Sequence, residues 1–141
     1  MTSTTVAVAT DGSETATEAV RMAAEVARRF DANLVLLSAF QDKGGADRSS
    51  DLSELQWATN PLARIREILA RTEEEVRRDG IDCSSLIDEG NPADVVIRLA
   101  TECGADLLVI GNKGMQRRVL GSVPNTITHK APCSVLVVKT T

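Results

Sequence analysis

The chain has 141 residues, of which 43% are hydrophobic and 26% charged, with a formal net charge of −4. This length and composition predict one globular domain over residues 1–141 that folds without disulfides or a structural metal. The acidic balance argues against nucleic acid and anionic membranes as partners, because both attract a concentrated basic surface. The sequence shows no signal peptide and no apolar run near the roughly 20 residues that span a membrane, which predicts a cytoplasmic protein.

The first half of the chain alternates β-prone runs with helical patterns. Residues 5–10 predict a strand, and residues 33–39 form a nearly unbroken apolar run typical of a parallel strand covered on both faces. Thr15 and Glu18 have the spacing of a capping box at the start of the helix between these strands. That helix places one apolar face at Ala16, Val20, Ala23, Ala27 and Phe30. A second helix is predicted over residues 61–78.

The second half repeats the alternation. Residues 83–87 predict a weak strand, and Asn91 begins a helix that continues through Ala100. Residues 106–110 predict a buried strand. A helix over Ser122–Lys130 and a strand over Ser134–Val138 complete the pattern. The stretch 41–57 is polar and weakly patterned, which is compatible with a binding loop or with a plain surface loop.

Five strands alternating with four helices predict an α/β fold, with an open, mostly parallel sheet and helices on both faces. In such sheets, ligands bind beyond the carboxyl ends of the strands, where the strand order reverses. Two loops with suitable chemistry leave strand ends, namely residues 10–13 and residues 111–122. We therefore expect the functional site at these two loops.

The second loop combines three glycines with the cations Lys113, Arg117 and Arg118. Glycines let backbone amides approach an anion, and the first N–H groups of the helix at Ser122 favour a phosphate. The Ser122 hydroxyl can cap that helix or donate to a phosphate oxygen. The same residues are also compatible with an ordinary turn and helix cap, and neither a P-loop nor a dinucleotide fingerprint is present.

Asp11 follows the first predicted strand. Its carboxylate could accept hydrogen bonds from a ribose or a base amine, or approach a bound metal. It could equally cap the turn that follows it. The sequence leaves both roles open.

The segments VAVATDGSETATEAV, LVLLSAF and DLLVIGNKGMQRRVLGSVPNTITHKAPCSVLVVK carry a resemblance over residues 4–139. The chain resembles the adenine-nucleotide-binding branch of the universal stress protein family. This resemblance implies a five-stranded sheet of order 3-2-1-4-5, a nucleotide site between the first and fourth strands, and a homodimer formed by the last strands. The pairing strand would use Val135, Leu136, Val137 and Val138.

The resemblance also implies the contacts of the nucleotide. Residues beside the adenosine would be Ala9, Thr10, Asp11 and, against the base, Ala39. Residues around the ribose and phosphates would be Gly111, Gly114, Gly121, Ser122 and Val123. The implied ligand is ATP, AMP or cyclic AMP, with Mg as a candidate companion ion. The chain departs from the family pattern in one respect, since six residues rather than nine separate Gly114 from Gly121.

These observations predict an adenine-nucleotide-binding protein that acts as a stress-response sensor or nucleotide reservoir. The shortened loop favours an alternative, a ligand-free dimeric interaction module, and Asp11 with Mg would allow a third function, slow ATP hydrolysis. No catalytic residue is predicted. His129 is the only histidine and is expected at the surface, while Cys133 is expected to be buried.

Overall fold

The computed structural model describes residues 4–41, 60–112 and 122–140. Within these ranges, five strands alternate with four helices. They are β1 (Thr5–Ala9), α1 (Glu14–Arg29), β2 (Asn33–Phe40), α2 (Pro61–Arg78), β3 (Cys83–Glu89), α3 (Pro92–Glu102), β4 (Leu107–Gly111), α4 (Ser122–Lys130) and β5 (Ser134–Val138). The predicted order of elements is confirmed, although β3 is two residues longer than the sequence suggested.

The strands form one sheet in the order β3-β2-β1-β4-β5, which confirms the predicted topology. All four strand pairs are parallel, so the sheet is wholly rather than mostly parallel. From β1 the chain moves outward to β3 and then returns to β4 on the other side of β1. The connections after β1 and β4 therefore leave the sheet toward opposite faces and open a crevice at its carboxyl edge.

Alternate residues of each strand contribute to two hydrophobic cores, one on each face of the sheet. Strand residues such as Val8 and Leu36 pack with α1 and α2. Their neighbours, including Ala7 and Leu37, pack on the other face with α3 and α4. Alanines line the inner face of α1, so this helix can approach the sheet closely. The core is therefore densely packed although it contains few aromatic residues.

The start of α1 differs from the sequence prediction. The predicted capping box at Thr15 and Glu18 is wrong, because Ser13 caps the helix. Ser13 has an extended backbone (φ −71°, ψ 166°), and its Oγ accepts a hydrogen bond from the Ala16 N–H at 3.2 Å. Thr15 already lies inside the helix, so it cannot cap the first free N–H groups.

The predicted start of α3 is confirmed. Asn91 Oδ1 accepts hydrogen bonds from the backbone N–H groups of Ala93 and Asp94 at 3.1 and 3.3 Å. Pro92 occupies the first turn, where its missing N–H costs no helical hydrogen bond.

His129 is exposed, as the sequence predicts. Cys133 is half-buried and therefore less enclosed than expected.

Two predicted loops fall largely outside the described residues. They are the polar stretch 41–57, apart from Gln41, and the middle of the glycine-containing loop, residues 113–121. Among the helices of the described ranges, none is long and apolar enough to cross a membrane.

Cys83 gives the fold a specific dependence on alkaline pH. Burial, with a contribution from the Glu73 carboxylate, raises the pKa of the Cys83 thiol from 9.0 to about 11. The unfolded thiol ionises above pH 9 while the folded one stays protonated. Its contribution to stability is therefore complete below pH 9 and is lost as the pH rises through 11. We expect this residue to lower the free energy of unfolding by about 1.4 kcal/mol per pH unit in that window.

Urea unfolding at pH 8 to 10.5 measures this effect. The control is Cys83→Ala, which removes the titrating thiol while leaving Cys103 and Cys133 to titrate as before. The wild type should lose stability more steeply than the variant. Parallel pH profiles would show that Cys83 ionises in the folded protein as readily as in the unfolded chain.

Candidate functional site

A cavity of about 420 Å³ opens at the carboxyl edge of the sheet. It lies over the end of β1, the strand at which the chain reverses direction across the sheet. Its lining comes from β1, β2 and β4 and from the starts of α1, α3 and α4. The residues are Ala9, Thr10, Asp11, Ser13, Thr15, Ala16, Leu37, Ala39, Pro92, Val96, Ile110, Gly111, Ser122, Val123, Pro124 and Ile127.

The floor of the cavity is apolar. Leu37, Ile110 and Ile127 belong to the core on the α3/α4 face and extend it to the sheet edge. Ala9 and Ala39 stand between these larger residues on β1 and β2. Because their side chains are single methyl groups, they leave space that larger strand residues would fill. The floor can therefore accept a flat, largely apolar ring.

The rim of the cavity is polar, and the N-termini of three helices lie along it. Ser13 precedes α1, Pro92 begins α3 and Ser122 begins α4. The dipole at each helix start favours negative charge nearby, although Asn91 already binds the first N–H groups of α3 and Ser13 binds that of Ala16 in α1. Among the described lining residues, Asp11 is the only ionisable one. The rim can therefore receive an anionic group without a cationic side chain from the described part of the lining.

The turn after β1 is held by its own side chains. Asp11 Oδ1 accepts a hydrogen bond from the Ser13 N–H at 2.9 Å, and Thr10 Oγ1 accepts one from the Gly12 N–H at 3.2 Å. The Thr10 N–H donates to the Leu37 carbonyl at 2.9 Å. Asp11 thus has the turn-capping role, and its carboxylate lies exposed at the cavity, where a ligand can also reach it.

The buried polar residues of the described chain are concentrated at this edge of the sheet. They are Thr10, Ser38 and Asn112, with exposures of 8%, 1% and 1%. Ser38 donates a hydrogen bond from its hydroxyl to the Thr10 carbonyl oxygen, which fixes the turn to β2. Asn112 directly follows Gly111 at the end of β4. Thr10 lines the cavity itself, while Ser38 and Asn112 are buried beside the two loops that border it.

Seven of the nine residues predicted from the sequence lie around this cavity, namely Ala9, Thr10, Asp11, Ala39, Gly111, Ser122 and Val123. Gly114 and Gly121, together with the predicted cations Lys113, Arg117 and Arg118, lie outside the described residues. A Cβ added to Gly111 would lie 3.6 Å from the Thr15 carbonyl oxygen and 3.7 Å from Thr140 Cγ2. These are ordinary contacts, so the fold itself does not require glycine at this position.

Sequence reasoning missed much of the wall. Thr15 faces the cavity from the start of α1, and Pro92 and Val96 face it from α3. Ser13, in the loop 10–13 that the sequence indicated, also faces it, although it was not named as a contact residue. The Asn91-Pro92 helix start was recognisable, but no local pattern shows that α3 begins beside the end of β1. The strand order supplies that relation, so these residues could have been found only after the sheet was assembled.

A second cleft, of about 730 Å³, lies between α1 and α2 on the opposite face. Its walls carry both cations and carboxylates, including Arg28 paired with Glu25, and Arg71, which pairs with Glu67 beside the cleft. Ala24 borders this cleft, while Thr10 borders both it and the first cavity.

Comparisons with known proteins agree with this architecture. A universal stress protein of Mycobacterium tuberculosis is 37% identical over 145 aligned positions, covering 97% of each chain. A crystal structure of a universal stress protein in complex with cAMP superposes with a TM-score of 0.77 at 31% identity, covering 100% of both chains. A universal stress protein from Lactobacillus plantarum superposes with a TM-score of 0.78, covering 98% of this chain and 99% of the other; at 23% identity it supports the fold alone.

The sequence model of the universal stress protein family matches residues 2–139, nearly the whole chain. The family match and the Mycobacterium relative lead to one assignment, and the superposed structures agree with it. The chain belongs to the universal stress protein family.

Proposed function

We propose that the cavity at the carboxyl edge of the sheet binds an adenine nucleotide. The observation that carries this proposal is the combination of an apolar floor with a rim of three helix N-termini. The floor suits a purine ring, and the rim suits a phosphate. The related structure at 31% identity was solved in complex with cAMP, which supports the same ligand class here.

The bound nucleotide would lie with its base over Ala9 and Ala39 and its phosphate toward Ser122. Asp11 would accept hydrogen bonds from the ribose, since its carboxylate is the charged acceptor at the described rim. ATP, AMP and cyclic AMP share the base and ribose, so the floor does not distinguish them. The glycine-containing loop decides how many phosphates are held.

We propose that this function is binding, with slow hydrolysis of ATP kept as the alternative that Asp11, Arg117 and Arg118 would serve. In the cell, a protein of this kind would serve as a nucleotide-dependent sensor or a nucleotide reservoir in a stress response. In the sensor role, the bound nucleotide would change which partner the protein binds.

Calorimetric titration of nucleotide-free protein tests this proposal. ATP, AMP and cyclic AMP are each added, with GTP as the control for base recognition. We expect saturable binding of about one adenine nucleotide per chain and at least tenfold weaker binding of GTP. Absence of heat and of competition with every adenine nucleotide would remove the proposal.

Two variants of Asp11 separate its turn role from its ligand role. Asp11→Asn keeps an oxygen that can accept the Ser13 N–H bond, whereas Asp11→Ala loses it. If the carboxylate binds the ribose, both variants should weaken adenosine binding while Asp11→Asn retains wild-type stability. Wild-type affinity in both Asp11→Asn and Asp11→Ala would assign Asp11 to the turn alone.

The edge strand β5 supports a second proposal, that two chains pair through their last strands. Val135, Leu136 and Val137 remain only half-buried, and β5 is paired on one side, by β4. An apolar edge strand invites pairing with a second copy. Light scattering at micromolar concentration should give the mass of two chains. The mass of a single chain would contradict this proposal and would also remove the dimeric interaction module as an alternative function.

A further inference from the structure

Asn112 is the last described residue before the glycine-containing loop, and its side chain is almost fully enclosed at 1% exposure. Its Oδ1 atom accepts two hydrogen bonds from one residue, Thr140. The Thr140 backbone N–H donates at 2.8 Å and the Thr140 hydroxyl at 2.6 Å. The backbone N–H of Asn112 donates to the Val138 carbonyl at 3.1 Å. The start of the loop is therefore fastened to the segment that follows β5.

This arrangement has a cost that a merely structural turn would not require. A buried amide must have its hydrogen-bonding groups satisfied, and an apolar residue would continue the core of β4 without that requirement. Gly111, immediately before Asn112, lines the cavity, and Thr140 Cγ2 lies beside the position that a Gly111 side chain would occupy. The Asn112–Thr140 pair thus fixes the direction in which the chain leaves the cavity rim.

We propose that Asn112 is a positioning residue for the phosphate end of the ligand, and that it acts through Thr140. The pair holds residues 111–112 at the cavity rim, at the end of β4, and the next described helix along the chain begins at Ser122, toward which we place the phosphate. Ser38 plays the corresponding part for the other loop, because it holds the Thr10 carbonyl at the adenosine end of the cavity. This inference rests on the proposed nucleotide-binding function.

The test compares adenosine with AMP, which differ by the phosphate. The ratio of their dissociation constants measures what the phosphate contributes to binding. Thr140→Val removes the hydroxyl donor while keeping the backbone N–H and the side-chain shape, and Thr140→Ser keeps the hydroxyl. Asn112→Ala removes the acceptor altogether. Thr140→Val serves as the main variant in case the buried change at Asn112 prevents folding.

We expect the dissociation constant of adenosine divided by that of AMP to fall about threefold in Thr140→Val and about tenfold in Asn112→Ala. The affinity for adenosine should stay nearly unchanged in both variants. Thr140→Ser should retain the wild-type ratio. Ser38→Ala is the matched comparison, because it is equally buried but holds the other loop. It should weaken adenosine and AMP by a similar factor and leave the ratio unchanged.

Several outcomes would overturn the inference. An unchanged ratio in Thr140→Val and Asn112→Ala, or an equal loss for both ligands, would reduce Asn112 to a general structural role. A loss in Asn112→Ala with none in Thr140→Val would mean that Asn112 acts without Thr140. A wild type that binds adenosine and AMP equally would leave no phosphate contact to position.

Amide hydrogen exchange on the ligand-free protein separates this inference from the proposed function. We expect faster exchange of the Asn112 backbone N–H, which donates to the Val138 carbonyl, in Thr140→Val than in Thr140→Ser. Equal exchange would overturn the inference even if the wild type binds nucleotide. A wild type that binds neither adenosine nor AMP would instead overturn the proposed function.

Discussion

Replacing Ala9 with leucine should abolish adenine-nucleotide binding while leaving the protein folded. Ala9 lies on the central strand, and its methyl group borders the cavity. A leucine side chain would extend into the space that we assign to the base. Steric exclusion of a rigid ring from a preformed site should weaken binding by at least a hundredfold, to below detection in a micromolar titration. Calorimetry with AMP measures the effect.

Ala24→Leu provides the matched control. Ala24 is also half-buried, but it borders the cleft between α1 and α2 on the other face of the sheet. The same addition of three carbons should leave AMP affinity unchanged. If Ala9→Leu binds AMP like the wild type, the base does not lie over β1. An equal loss in both variants would indicate a general effect of core overpacking rather than exclusion from the cavity.

Gly12→Ala should destabilise the protein by about 2–3 kcal/mol. Gly12 has φ +81°, a left-handed conformation that costs a residue with a side chain about 1–2 kcal/mol. A Cβ at this position would also lie 2.7 Å from Ile68 Cδ1 and 3.1 Å from Ile68 Cγ2. The Ile68 side chain would have to move, which adds a cost of overpacking. Urea unfolding measures the change in the free energy of unfolding.

Gly80→Ala isolates the backbone part of this cost. Gly80 has nearly the same angle, φ +83°, but no atom lies within 4 Å of its added Cβ. Gly80→Ala should lower the free energy of unfolding by about 1 kcal/mol, less than Gly12→Ala does. Removing Ile68 Cδ1 with Ile68→Val should reduce the cost of Gly12→Ala in a double-mutant cycle. Equal costs at the two glycines would show that Ile68 does not oppose a side chain at Gly12.

The elements of this fold were predictable because their signals are local. The unbroken apolar run at residues 33–39 indicated a buried parallel strand, and Asn91-Pro92 marked a helix start. The capping box failed for a local reason as well. Ser13 and Thr15 are both competent caps, and the choice depends on which of them has an extended backbone, a property that spacing does not reveal.

The candidate site was only partly predictable. Asp11 and Gly111 could be found because they follow β-prone runs, and the carboxyl ends of parallel strands share one edge. Val96 and Ile127 lie in helices whose patterns indicate only burial, so their place in the cavity lining depends on the assembled sheet. Ser38 and Asn112 are single polar residues beside apolar strands. Their roles emerge only from the hydrogen bonds that they make across the chain.

The central claim, that an adenine nucleotide binds in this cavity, is tested most directly by following alanine methyl groups by NMR during a titration with AMP. Ala9, Ala16 and Ala39 line the cavity, whereas Ala24 borders the opposite cleft and Ala105 lies near the amino end of β4. We predict saturable shifts at the first three methyl groups and none at the other two. Absence of shifts, or shifts at Ala24 without change at Ala9 and Ala39, would contradict the claim.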